Sequence, residues 1–313
     1  MARKPRFWTS EFPYELTIRT EHRMFLLKPD DEMKNIVGSC LGRALKRHPV
    51  QIHYFATNIN HFHAIFSLAP NQIANGSLFL RYLHGQLAKQ INIHYSRTGR
   101  VWSSRAHVIP IADENALIER LLYAVTNVVK DGMVESISQW PGFSTFEQLA
   151  HGKRQTFTYL DRTAWWKAGG PASGIPKQKF VRSVSVETSP LPGWENLSPH
   201  ERQSRFRRMV RDNEAEIAKQ RTFEGRPVMG RTALMLTDPS SKPETPKKST
   251  PMPKCHASDE GLYKSFVDDV LKPFWAAYRE ASARFRAGEY TTEFPYGSIP
   301  PPIPTVWSAA RAA

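Results

Sequence analysis

The stretch Asn58-Ile59-Asn60-His61-Phe62-His63-Ala64-Ile65-Phe66 constrains this chain more than any other. In a strand, successive side chains point to opposite faces, so His61 and His63 share one face and Phe62 points to the other. Two imidazoles side by side on a rigid strand are half of a metal site or half of an acid/base site. The pair needs a partner before either reading is selected.

Tyr123 supplies one. Residues Asn115 to Lys130 read as an amphipathic helix, with Leu117, Ile118, Leu121, Leu122, Val125, Val128 and Val129 as its apolar side. Glu119, Tyr123, Asn127 and Lys130 fall on a second stripe, because spacings of three and four residues stay on one helix face. If that stripe faces His61 and His63, a phenol nucleophile stands beside two nitrogen ligands and one amide oxygen. Lys130 either complements the helix C-terminus or holds a phosphate.

Taken together, these residues resemble the HUH single-tyrosine transposases. The Tyr-x-x-x-Asn spacing and the context Asn60-His61-Phe62-His63 resemble the REP-associated tyrosine transposase group in particular. The resemblance runs from about Tyr14 to Phe146 and includes Gly99-Arg100-Val101-Trp102, Gly132-Met133-Val134 and Trp140-Pro141-Gly142. One departure is Val128, where such relatives carry proline after the asparagine. The resemblance implies an antiparallel sheet with helices packed on it, a split β-α-β fold, and a hairpin-containing single-stranded DNA partner. It also implies strand transesterification by Tyr123 through a covalent 5′-phosphotyrosine, with Mg²⁺ or Mn²⁺ held by His61, His63 and Asn127. A phenol with a pKa of about 10 is a poor nucleophile at neutral pH. The cation's main tasks would be orienting the phosphate and neutralising transition-state charge.

Composition fits a nucleic-acid partner. The net charge of +14 over 313 residues calls for a polyanion, either nucleic acid or an acidic membrane surface. Hydrophobic content of 40% with 24 prolines predicts a folded part and a poorly ordered part. Cys40 and Cys255, far apart, form neither a disulfide framework nor a zinc knuckle and suit a reducing cytoplasm. No apolar run approaches about eighteen residues and no apolar signal core follows Met1, so neither a membrane span nor secretion is expected. The expected setting is cytoplasmic, nucleoid-associated and bacterial.

The element order along the first part of the chain reads β-α-β-β-α-β-α, an α+β arrangement. Tyr14 to Lys28 has strand composition, Asp30 to His48 reads as a helix capped by Asp30, and Gln51 to Thr57 forms a hairpin with the His61 strand. Leu78 to Tyr95 is a second helix, and Arg100 to Pro110 reads as another strand. There Arg100, Trp102 and Arg105 give a cation–aromatic–cation pattern suited to single-stranded DNA. Arg3, Lys4, Arg6, Phe7 and Trp8 read either as an arm laid on DNA or as a loose terminus. Cys40 falls on a buried helix stripe and reads as core.

Four regions are expected. Residues 1–150 hold the site, and 151–236 form a basic extension, irregular up to about 196. A helix then starts at the Ser198-Pro199 cap and bears Arg202, Arg205, Arg207, Arg208 and Arg211. Residues 237–257 read as a Pro-rich linker, and 258–313 as a docked helix with a stiff Pro-rich tail. Rival functions are a DNA hairpin-binding protein that does not cleave, a replication initiator or relaxase of the same chemistry, and an RNA-binding protein of similar architecture. The sequence leaves monomer and homodimer both open.

Overall fold

The computed structural model describes residues 4–243 and 251–304. Arg3, the middle of the Pro-rich linker and the end of the tail lie outside the described residues. In chain order the strands are β1 (Tyr14–Arg19), β2 (Gln51–Thr57), β3 (His61–Ser67), β4 (His107–Pro110), β5 (Gln155–Leu160) and β6 (Val181–Val186). The helices are α1 (Asp31–Arg47), α2 (Asn75–His94), α3 (Glu114–Lys130), α4 (Phe146–His151), α5 (Arg162–Lys167), α6 (Pro199–Phe223), α7 (Gly230–Leu236), α8 (Glu260–Ser265) and α9 (Lys272–Arg286). Among the described residues no helix is long and apolar enough to cross a membrane.

β1 to β4 form one antiparallel sheet in the order β2-β3-β1-β4. The register sets its two faces. Ile18 opposes Phe62 and Leu16 opposes Ala64, so these residues share one face; Arg19 opposes His61 and Thr17 opposes His63 on the other. The apolar face is covered by α1 and α2, with Phe62, Phe66, Leu41, Phe79 and Leu83 all fully buried. Asp30 caps α1 by accepting from the Met33 N–H, and Cys40 lies in this core as expected. The opposite face is covered by α3, whose Leu117, Leu121, Val125 and Val128 pack with Tyr54, Ala56 and Ile65. α6 closes this second core through Phe206 and Val210. Its start is a capping box, in which the Glu201 N–H donates to the Ser198 hydroxyl and the Ser198 N–H to the Glu201 carboxylate.

Several stretches differ from the sequence reading. Only His107–Pro110 of the expected 100–110 strand is regular; Trp102 makes an isolated bridge to Thr20. Residues 151–196 are not wholly irregular, because β5 and β6 form an antiparallel hairpin against α1. Two glycines on one face of α1 permit it. A Cβ at Gly38 would stand 2.5 Å from the Phe157 ring, and one at Gly42 would stand 2.7 Å from a Val184 methyl. Trp8 is buried and donates to the Ser77 hydroxyl at 2.9 Å, so it packs in the core and is not a ring offered to DNA.

The end of the expected linker is anchored. The His256 N–H donates to the Pro110 carbonyl, and the His256 carbonyl accepts from the Ala112 N–H, a parallel bridge beside Ile111 just past β4. The final helix is interrupted by a π turn at Phe266–Leu271. Pro273 has no N–H to give the Asp269 carbonyl, which accounts for the irregular winding just before it. Ring contacts of Phe7 with Phe274 and Phe12 with Phe266 dock this helix over the N-terminal arm.

Candidate active site

β3 begins at His61, directly after a turn closed by the Asn58 N–H donating to the His61 carbonyl at 2.8 Å. His61 and His63 therefore enter the sheet at its end, on the face that α3 covers. Asp113 caps α3 by accepting from the Ala116 N–H, and the helix runs straight through Val128 to Lys130. Gly132, at a φ of 71°, ends it in a left-handed conformation open to glycine. Because the apolar stripe of α3 is held against Tyr54, Ala56 and Ile65, the stripe with Tyr123 and Asn127 faces the two histidines.

The side chains around His61 fix one another's orientation. Asn60 donates its amide N–H to the Arg23 carbonyl at 3.2 Å, which turns its Oδ1 toward His61 Nδ1 at 2.7 Å. His61 Nδ1 therefore carries a proton. Asn58 donates to Asp131 Oδ2 at 3.1 Å and to Asn127 Oδ1 at 2.9 Å, so the Asn127 oxygen is the atom 3.0 Å from His61 Nε2. A lone pair on that nitrogen would face a lone pair on that oxygen. The contact is favourable only with a cation there, either a proton on Nε2 or a metal ion shared by both atoms.

His63 is prepared in a similar way. Its Nδ1 lies 3.0 Å from the Thr17 hydroxyl and 3.2 Å from Glu15 Oε1. An ionised carboxylate only accepts, so Nδ1 is the donor and Nε2 carries the lone pair. That Nε2 is buried without a hydrogen-bond partner. A carboxylate behind the far nitrogen of a histidine is how metal-ligating imidazoles are commonly oriented. Among the described residues no group of three or more His, Cys, Asp and Glu is gathered for a metal. The donors here are two imidazoles and one amide oxygen, a set that fits Mn²⁺ or Mg²⁺.

Glu15, only 3% exposed, is the hub of this face. Burial alone would push its carboxyl up, but the adjacent His256 imidazole and hydrogen bonds from His63 and Arg120 outweigh that and hold it well below the usual carboxylate range. Arg120 donates in a bidentate manner at 2.8 and 3.0 Å, and His256 Nε2 lies 2.7 Å away. The same Arg120 guanidinium lies 4.2 Å from the centre of the Tyr123 ring. The Tyr123 ring also meets His63 edge-on, with centroids 5.5 Å apart. Burial pushes the Tyr123 phenol above its ordinary range; Asp131 and Glu15 add to this, and Arg120 and Arg19 oppose it.

A cleft of about 420 Å³ opens onto these groups, lined by His61, Tyr123, Asn127, Lys130, Arg19 and Arg23 among others. Lys130 is exposed, with Nζ 5.4 Å from the Tyr123 ring centre. Trp102 lies elsewhere: its indole donates to the His84 carbonyl at 3.0 Å and meets Phe62 edge-on, on the opposite face of the sheet. Trp102 is not among the residues that line the cleft at Tyr123. The expected alternation of Arg100, Trp102 and Arg105 fails because the segment is a loop, so no strand geometry aligns the three. Arg100 and Arg105 are exposed on that loop.

Glu15, Arg120, Asn58 and His256 belong to this face and were not singled out from the sequence. Glu15 had a usable signal: Glu15, Thr17 and Arg19 alternate on β1 and so share a face. His256 had none, since it follows a proline-rich stretch and reaches the site only through tertiary pairing.

These features define the class of the molecule as an α+β domain with a His-x-His strand and a tyrosine helix on one face of its sheet. No family model matches the chain, and no curated protein matches it. Among solved structures it is similar to a REP-associated tyrosine transposase bound to a REP hairpin, with 22% identity and a TM-score of 0.42 over 49% of this chain and 87% of the other. It is also similar to a candidate transposase from Deinococcus radiodurans R1, with 16% identity and a TM-score of 0.29 over 39% of this chain and 95% of the other.

Proposed function

We propose that the chain is a metal-dependent tyrosine transposase that cleaves and rejoins hairpin-containing single-stranded DNA. The observation that carries the reading is the meeting of His61 Nε2 and Asn127 Oδ1 at 3.0 Å in the cleft that Tyr123 lines. The hairpin target comes from the sequence resemblance at Asn60–His63 and Tyr123–Asn127. A divalent ion held by His61, His63 and Asn127 would supply positive charge to a phosphate oxygen and favour the phenolate. Tyr123 Oη attacks phosphorus, the new O–P bond forms, and the bond to the 3′ oxygen breaks. The phenol loses a proton and the departing 3′ oxygen gains one, so the step is proton-neutral overall. The 5′-phosphotyrosine keeps the phosphodiester energy, and a later 3′-hydroxyl rejoins strands without a nucleotide cofactor. Arg120 holds the Tyr123 ring, and Lys130 and Arg19 offer charge to the flanking phosphates.

The test is incubation of full-length protein with end-labelled single-stranded hairpins taken from DNA flanking the gene, with Mn²⁺, on a denaturing gel. A covalent adduct keeping the label 3′ of the cut, and lost with Tyr123→Phe or EDTA, is the expected result. Tight binding without an adduct would replace this reading with that of a hairpin-binding protein.

A further inference from the structure

A second cleft, of about 470 Å³, lies along the outer edge of β4 between the N-terminal arm and the C-terminal helix. Lys4, Arg6, Arg105, His107 and Lys254 line it, with Trp275 at one side. Among the described residues no Asp or Glu lines it. A smaller cleft of about 220 Å³ shares Lys4, Arg6 and Arg105 and extends the same surface to Ser77 and Tyr278. We propose that these clefts form one phosphate-binding channel for single-stranded nucleic acid, continuous with the active-site cleft.

The charges are crowded rather than scattered. Arg6 donates to the Ala106 carbonyl at 2.8 Å, and burial together with the neighbouring Arg105 pushes its guanidinium down to about 10. Arg105 donates to the Lys4 carbonyl at 3.3 Å, which ties the arm to the β4 loop. A concavity lined by several like charges focuses positive potential, which suits a partner bearing several negative charges. A concave lining with Trp275 and Tyr278 rings beside the cations suits a nucleic-acid strand. A lipid surface would need these groups on a convex face.

The strand register puts a lining residue of each cleft on the same face of the sheet. His107 opposes Thr17, so it lies on the same face as His63 and one strand further out. Arg19, two residues along β1 from Thr17, lines the cleft at Tyr123. Burial and then the charges of Arg19 and Arg6 hold the His107 imidazole below its ordinary range. The direction of the strand rests on Tyr123 being the cleaving residue. The channel's affinity for a polyanion does not.

The experiment compares full-length wild type, the double variant Lys4→Glu/Lys254→Glu, and a charge-matched control, Lys167→Glu/Lys179→Glu, on the segment between β5 and β6. Binding of fluorescent oligothymidylates of about six and about twenty nucleotides is followed by anisotropy against salt, without divalent metal. The channel predicts weaker binding of the longer oligomer by the first variant, with the salt slope reduced by about 1.4, or about 0.7 per phosphate contact. The short oligomer and the control variant should change less. Equal losses in both double variants would mean that net charge alone acts, and tighter capture by phosphatidylserine vesicles than by the oligomer would point to a membrane; either overturns the channel. Absence of a covalent adduct in wild type overturns the reading of Tyr123 and leaves these binding results intact.

Discussion

The two faces of the four-stranded sheet are made by the same strands and behave differently. On the α1/α2 face, Leu16, Ile18, Phe62, Ala64 and Phe66 meet other apolar side chains, and the stabilisation is burial. On the α3 face, Glu15, Thr17, His61, His63, Asn58 and Asn127 are equally buried but held by hydrogen bonds and charge. A period of two thus gives one side of each strand to packing and the other to a polar cluster. Buried polar groups are costly unless satisfied, and most on that face are held by particular partners, with His63 Nε2 left without one.

Substitutions should separate the two faces. The largest effect on stability belongs to Phe62→Ala, which empties a fully buried site between β3 and α2. It should cost about 3–5 kcal/mol in urea unfolding. A loss below about 1 kcal/mol would mean that the apolar face is not the structural one. An intermediate effect, dependent on pH, belongs to Glu15. Its folded carboxyl lies below its unfolded value of about 4.3, so its contribution is fully present above that pH and is lost as pH falls toward the folded value. Wild type should therefore lose stability more steeply than Glu15→Gln between about pH 5 and pH 2, and parallel curves would refute the network. The smallest effect on stability and a clear effect on ligation are expected for Asn58→Ala, which frees the Asn127 amide to rotate. Mn²⁺ affinity, measured by titration calorimetry, should fall about 10- to 100-fold, and an unchanged affinity would remove Asn127 from the ligand set.

The face with α3 was also the more legible in part. His61 and His63 share a face by strand geometry alone, and Tyr123, Asn127 and Lys130 share one by helix spacing. Helix starts at Asp30 and Ser198 were readable because capping is local chemistry. The hairpin of β5 and β6 was less so: Gln155–Leu160 alternates weakly, and what fixes it is the space left by Gly38 and Gly42 more than 100 residues earlier. Trp102 shows the reverse case. A tryptophan between two arginines is read equally well as a DNA platform or as core, and only packing against Phe62 and His84 decides.

By itself the sequence determined the order of strands and helices as far as α3, the apolar side of its helices, and the pairing of imidazoles with a phenol and an amide at set spacings. These depend on periodicity and capping, which act over a few residues. Only the tertiary structure decided that Glu15 is buried, that Arg120 and His256 stand beside its carboxylate, and that the arm and the C-terminal helix flank a cleft lined by basic residues. A carboxylate on a strand reads as solvated until its neighbours in space are known. The segments that desolvate and pair Glu15 lie on β3, α3 and the end of the Pro-rich stretch, and no local pattern announces that they meet.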